Sequence, residues 1–199
     1  MQLCVNTVYI LKAVALKNIF AIHGAWSSPV SFNYLQTQVD ADWTTLNYDH
    51  TRDGMRDIIH RANEEIVKPS TVIGHSLGGI VALHLHDNPL VERIITLASP
   101  LAGLELNLIQ LYFSRSNLIG QIAKDSHIIK DMKRAIYTKP IRHIVATNGF
   151  NPFIYEDNDG VLPIKIQTNW SCGEFYKIDS NHYEILQHAD TVAAIREFG

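Results

Sequence analysis

The sequence predicts an α/β architecture, a mostly parallel twisted sheet with helices on both faces, and three observations predict it. From Lys17 to the C-terminus, short apolar runs alternate with helical patterns, and strands separated by helices imply parallel pairing through crossovers. The strand runs are continuously apolar rather than alternating, which suits burial on both faces. Three irregular segments, His23-Gly24, the turn at Ser76 and the loop from Asn151 to Pro163, fall beyond the carboxyl ends of strands. Sheets of this kind bind their ligands there.

A chain of 199 residues suits one domain with a sizeable core. That domain is expected to span residues 1–199, with a helical insertion at about 101–139. A net charge of -3 leaves no basic footprint, so nucleic acid is not an expected partner. No apolar run reaches the roughly 18 residues a membrane span needs. Near the N-terminus, Ala13-Val14-Ala15 has the form of a signal-peptidase site. The segment lacks a positive leading region, and Asn6 and Lys12 interrupt it. Val5 to Val14 is therefore read as a first strand, and the protein as cytoplasmic. Cys4 and Cys172 form no metal spacing. They read as buried small apolar residues, with a single bridge left open.

The elements follow in order. Asn18 to Ile22 is a short apolar strand ending at His23-Gly24. Ser28-Pro29 reads as an N-cap with proline at the first helical position, opening a helix with Phe32, Leu35 and Val39 on one face. Trp43 to Tyr48 is the next strand. Met55, Ile58, Ile59, Ala62 and Ile66 recur at helical spacing until Pro69 stops them. Thr71 to Ile73 is a strand, Ile80 to His86 a helix, and Arg93 to Ala98 a further strand. Leu104 to Tyr137 is a helical excursion, apolar nearly all round in its first third. Ile141 to Thr147 and Gly173 to Ile178 return to strand, and Thr191 to Phe198 closes the chain as a helix.

Gly74-His75-Ser76-Leu77-Gly78-Gly79 stands between a strand and a helix. In that context a Gly-x-Ser-x-Gly turn exposes the serine at the sheet edge. The residues two before and two after the serine crowd together, so both must lack side chains. The helix from Leu77 then points its free N–H groups at any developing negative charge. A plain glycine turn is the simpler alternative, and the strand-turn-helix context argues against it.

A serine hydroxyl needs a base, and the base needs an orienting acid. The chain order demanded by this turn is serine, acid, histidine. After the serine helix come His127, inside the helical excursion; His143, inside a strand; His182, just after the last strand; and His188, beside the final helix. His182 alone sits at the correct edge. In Glu156-Asp157-Asn158-Asp159-Gly160, Asp159 is preferred as the acid and Asp157 held in reserve, although aspartate before glycine also suits an ordinary Asx turn. No cofactor is expected. His84 and His86, two apart on a helix, cannot pair on a metal. The acidic run lacks the spacing of an EF-hand, though a lone calcium site near it stays open.

These segments together resemble the α/β-hydrolase family, and its lipase and esterase members in particular. His23-Gly24-Ala25 resembles that family's oxyanion loop, Gly74 to Gly78 its nucleophile elbow, Asn158 to Val161 its acid loop and Asn181-His182 its histidine loop. The resemblance implies an α/β-hydrolase fold with Ser76 as nucleophile, His182 as base and then acid, and Asp159 as orienting carboxylate. It implies an oxyanion hole from the amides of Leu77 and Ala25, and a small-molecule acyl ester as substrate. The helical excursion falls where the family inserts a cap. Leu108 and Tyr112 are then candidates for an acyl wall, as readily as for plain core, and Trp26 and His75 are further substrate-facing candidates, with core packing the preferred reading for Trp26. A non-hydrolytic binding protein on the same fold, or a thioesterase, amidase or acyltransferase with the same residues, are the rival readings.

Overall fold

The computed structural model describes residues 16–105 and 117–199. Six strands form one sheet: β1 (Asn18–Ile22), β2 (Asp42–Leu46), β3 (Ser70–His75), β4 (Val91–Leu97), β5 (Ile141–Ala146) and β6 (Glu174–Ile178). Their order is β2-β1-β3-β4-β5-β6, and every pairing is parallel. The chain moves outward from β1 to β2, then returns to the far side of β1 as β3. That reversal places a crevice beyond the ends of β1 and β3, where open α/β sheets bind ligands.

Burial explains why the strand sequences differ. β3 (STVIGH) and β5 (IRHIVA) are buried at every position, whereas edge strand β2 alternates exposed and covered residues and β6 is mostly open. Helices cover both faces. Residues of α2 (Met55–Glu65), α3 (Leu77–His84), α4 (Asn117–Gln121) and α5 (His127–Arg134) share one core with Phe20, Ile22 and Val72. Residues of α1 (Asn33–Gln38) and α7 (Ala189–Glu197) share the other with Ile19, Ala21 and Ile73. Successive strand residues thus serve opposite faces, as the pleat requires. α3 is apolar nearly all round because it lies between β3, β4 and α2.

Several expectations shift in detail. Ser28 precedes a 3-10 turn, Pro29–Phe32, but its side chain makes no capping bond. The Ser31 hydroxyl closes that turn by donating to the Ser28 carbonyl (2.8 Å). β2 stops at Leu46 rather than Tyr48, whose hydroxyl donates to the His23 carbonyl (2.6 Å) while its ring stacks on His23. The five-residue helix α6 (Ile164–Thr168) had no forecast, being too short to show a period. Cys172 is buried and disulfide-bonded. Cys4, the expected strand Val5 to Val14, Leu108 and Tyr112 lie outside the described residues. No helix among the described residues is long and apolar enough to cross a membrane.

Candidate active site

The turn at Ser76 is strained in the way its flanking glycines imply. Ser76 has φ 53° and ψ −121°, a left-handed conformation that costs a non-glycine residue about 1–3 kcal/mol. The turn is tight: a Cβ on Gly74 would lie 2.2 Å from the Gly78 carbonyl oxygen, and one on Gly78 would lie 2.1 Å from the Ile22 carbonyl oxygen. Only glycine fits at either position. The Ser76 amide donates to Leu97 O at the end of β4 (2.8 Å), which fixes the turn to the sheet. Leu77 opens α3, so its amide has no carbonyl one turn earlier to bond.

The acid and histidine loops leave the ends of β5 and β6 laced together. Thr147 N–H donates to Ile178 O and Asn148 N–H to Ser180 O (both 3.0 Å). Further on, His182 N–H donates to the backbone carbonyl of Asp159 (2.9 Å). Across this lacing, His182 Nδ1–H donates to Asp159 Oδ2 at 2.6 Å, with Asp159 0% and His182 2% exposed. Asp157 is exposed; of the two aspartates, Asp159 meets the histidine.

Every lone-pair direction of Asp159 is used. Oδ1 accepts the amides of Val161 (2.9 Å) and Leu162 (2.6 Å). Oδ2 accepts from His182 and also from Gln167 Nε2 (2.9 Å) on α6. Gln167 is clamped in turn, since its amide donates to Ala146 O and accepts from Ala146 N–H (both 3.2 Å) at the end of β5. Both Nε2 partners are acceptors and the Oε1 partner is a donor, so the amide can point only one way. Sequence reading gave no sign of Gln167; a glutamine within Ile-Lys-Ile-Gln-Thr carries no local signal.

His75 lies beneath this pair. Its Nε2–H donates to the His182 carbonyl (2.8 Å), and the two rings lie 5.0 Å apart. Burial, reinforced by the His182 and His23 rings, pushes His75 down to about 3, so it stays neutral and serves as a fixed donor. His143, inside β5 as expected, donates to Cys172 O and accepts from Thr96 Oγ1 (both 2.8 Å). Burial pushes it down to about 4, far from a catalytic role. His188 caps α7.

Ser76 and His182 open onto one cavity of about 30 Å³, which Ala25, Leu77, Trp26 and His75 also line. Its far wall is Pro100, Leu104, Ile119, Ile122, Val161 and Leu162; Leu104, Ile119 and Ile122 come from the excursion expected as a cap, and Val161 from the expected acid loop. Trp26 does not pack into the core; it is 36% exposed, has φ 54°, and borders the cavity. With Nδ1 carrying the proton toward Asp159, the Nε2 lone pair of His182 is the basic atom left to act. Among the described residues, no group of three or more His, Cys, Asp or Glu side chains could hold a metal ion.

This combination of parallel sheet, strained serine turn and buried carboxylate–histidine pair has a known class. The chain belongs to the alpha/beta hydrolase family, whose model matches residues 19–145. Among solved structures it is similar to the mature form of the lipase BlEst2 from Bacillus licheniformis, with 16% identity, TM-score 0.70, and 92% of this chain covering 91% of that one. It is also similar to a lipase-esterase related protein from Clostridium acetobutylicum (15% identity, 92% and 94% covered, TM-score 0.63). A thioesterase domain from the curacin biosynthetic pathway gives 11% identity, 92% and 91% covered, and TM-score 0.56. At these identities the likeness is one of fold. No match was found among curated proteins.

Proposed function

We propose that the protein is a serine hydrolase that cleaves carboxylic esters through an acyl-enzyme on Ser76. The observation that carries this reading is that His182, paired with the buried Asp159, shares one cavity with a serine held at φ 53°. His182 Nε2 takes the Ser76 hydroxyl proton as Oγ attacks the ester carbonyl. Asp159 holds the Nδ1–H tautomer and stabilises the imidazolium that forms. The amides of Leu77 and Ala25 receive the oxyanion, each donor worth about 3 kcal/mol in the transition state. His182 returns its proton to the departing alcohol. Water, activated by the same nitrogen, then releases the acid and frees the serine.

The segment at about 101–139, including α4 and α5, is read as the cap over this site, within a single domain. A small-molecule ester is the expected partner.

Thioesters and amides present the same carbonyl to the same residues, and a binding-only protein would present it without turnover. Steady-state hydrolysis of matched acetyl esters, thioesters and amides separates these cases, with Ser76→Ala as the control. The ester is expected to have the highest kcat/KM, and Ser76→Ala to lose about a millionfold in kcat. A higher kcat/KM for the thioester or amide would replace the ester reading, and hydrolysis retained in Ser76→Ala would refute it.

A further inference from the structure

We infer that the cavity above Ser76 is an acyl pocket built for short, uncharged acyl groups, acetyl to butyryl. This rests on the serine-hydrolase reading above and specifies its substrate. A water-sized group needs roughly 10–15 Å³, so the 30 Å³ free between Ser76, His182 and the aliphatic wall admits two or three such groups along an acyl chain. That is the chain of a propionyl or butyryl group. The far wall is aliphatic, and no Asp, Glu, Lys or Arg lines the cavity among the described residues. A carboxylate or ammonium on the acyl chain would lose its water there with no partner of opposite charge.

The wall is also braced, which turns a small volume into a size limit. Leu104, Ile119 and Ile122 are 2–4% exposed. Leu104 N–H donates to Ile122 O (2.8 Å), and Lys124 N–H donates back to Leu104 O (2.9 Å). α4 is tied to the start of α2 by Gln121 Oε1, which accepts the Met55 amide (3.0 Å). On the opposite side, the Leu162 amide is one of the two that hold Asp159 Oδ1 (2.6 Å). Growing into this wall, a longer chain would have to part the Leu104–Ile122 bridge or disturb the acid itself. Ile119 and Ile122 are thus specificity-determining residues, closing the pocket from the helical excursion.

The test is kcat/KM for p-nitrophenyl esters from acetyl to dodecanoyl, on the wild type, Ile122→Ala and Ile119→Ala. The wild type is expected to peak between acetyl and butyryl and to lose about tenfold for each methylene beyond four carbons, at the low end of what one methylene is worth in a closed pocket. Ile122→Ala removes three carbons from the wall, so its optimum is expected to move toward hexanoyl. Ile119→Ala carries the same expectation by an independent route, should Ile122→Ala fail to fold. A wild-type profile flat or rising to octanoyl overturns the inference while leaving ester hydrolysis standing. A short-chain wild type whose profile neither variant shifts overturns the assignment of the wall. No turnover of any ester overturns the ester reading itself, and this inference with it.

Discussion

Replacing Asp159 with asparagine tests the acid through both rate and stability. The carboxylate accepts four hydrogen bonds, two at each oxygen. Asparagine supplies one acceptor, which stays with the Val161 and Leu162 amides, and one NH2 group, which faces His182 and Gln167. His182 can adapt only by moving its proton to Nε2 and accepting at Nδ1. Nε2–H then faces Ser76 as a donor, and the base is gone. By analogy with serine-protease triads, kcat should fall about ten-thousandfold, or about 5 kcal/mol of barrier. KM should change little, because Asp159 does not line the cavity. Gln167 cannot adapt, since flipping its amide would break both bonds to Ala146. One donor–donor contact therefore remains at a fully buried site, costing about 1–3 kcal/mol of stability. The assays are p-nitrophenyl acetate hydrolysis and urea unfolding, with Asp157→Asn as the exposed control, expected within twofold of wild type. A folded Asp159→Asn enzyme within tenfold of wild type, above all beside an inactive Asp157→Asn, would refute the assignment of the acid.

Three further outcomes follow from the same geometry. Gln167→Met removes a donor from Asp159 Oδ2 and strands the Ala146 amide and carbonyl, so unfolding should come about 2–3 kcal/mol sooner in urea, with kcat lowered and KM unchanged. Ser76→Gly and Ser76→Ala should both be inactive, yet the glycine variant should melt at the higher temperature because glycine relieves the positive φ that alanine retains. Burial keeps His75 and His143 neutral in the folded state down to about 3 and about 4, whereas the unfolded chain takes up both protons below about pH 6.5. The contribution of these two histidines is therefore full above that pH and is lost as pH drops, by up to about 2.7 kcal/mol per unit between about pH 6 and 4.5. Urea titrations across that range measure the slope, and one that is flat or rises toward acid contradicts it.

The sequence was informative wherever chemistry and local geometry coincide. Apolar runs without alternation marked the buried strands, and the glycines around Ser76 announced a turn whose crowding the structure shows at 2.1 and 2.2 Å. His182 could be picked out because it follows the last strand directly, whereas His188 lies further on beside the final helix. Asp159 and Asp157 share a loop and a residue type, and what separates them is long-range: the amides of Val161 and Leu162, the clamp of Gln167 and the lacing of the β5 and β6 loops. Gln167 left no trace in spacing, and the wall of Leu104, Ile119 and Ile122 showed only as apolar positions of the excursion, because their roles arise from contacts between elements far apart in the chain. Trp26 was expected to pack inward, and the positive φ that turns it toward the cavity has no signature in a tryptophan.

The central claim is that Ser76 is an activated nucleophile, and the most direct measurement is intact-mass analysis after exposure to a small fluorophosphonate. A phosphonylated serine requires a working base and oxyanion hole, and it reports activation without any choice of substrate. The account predicts a single adduct, mapped to Ser76, on the folded wild type, and none on Ser76→Ala or heat-denatured protein. Folded wild-type protein that stays unlabelled, or a label on another residue, would contradict it.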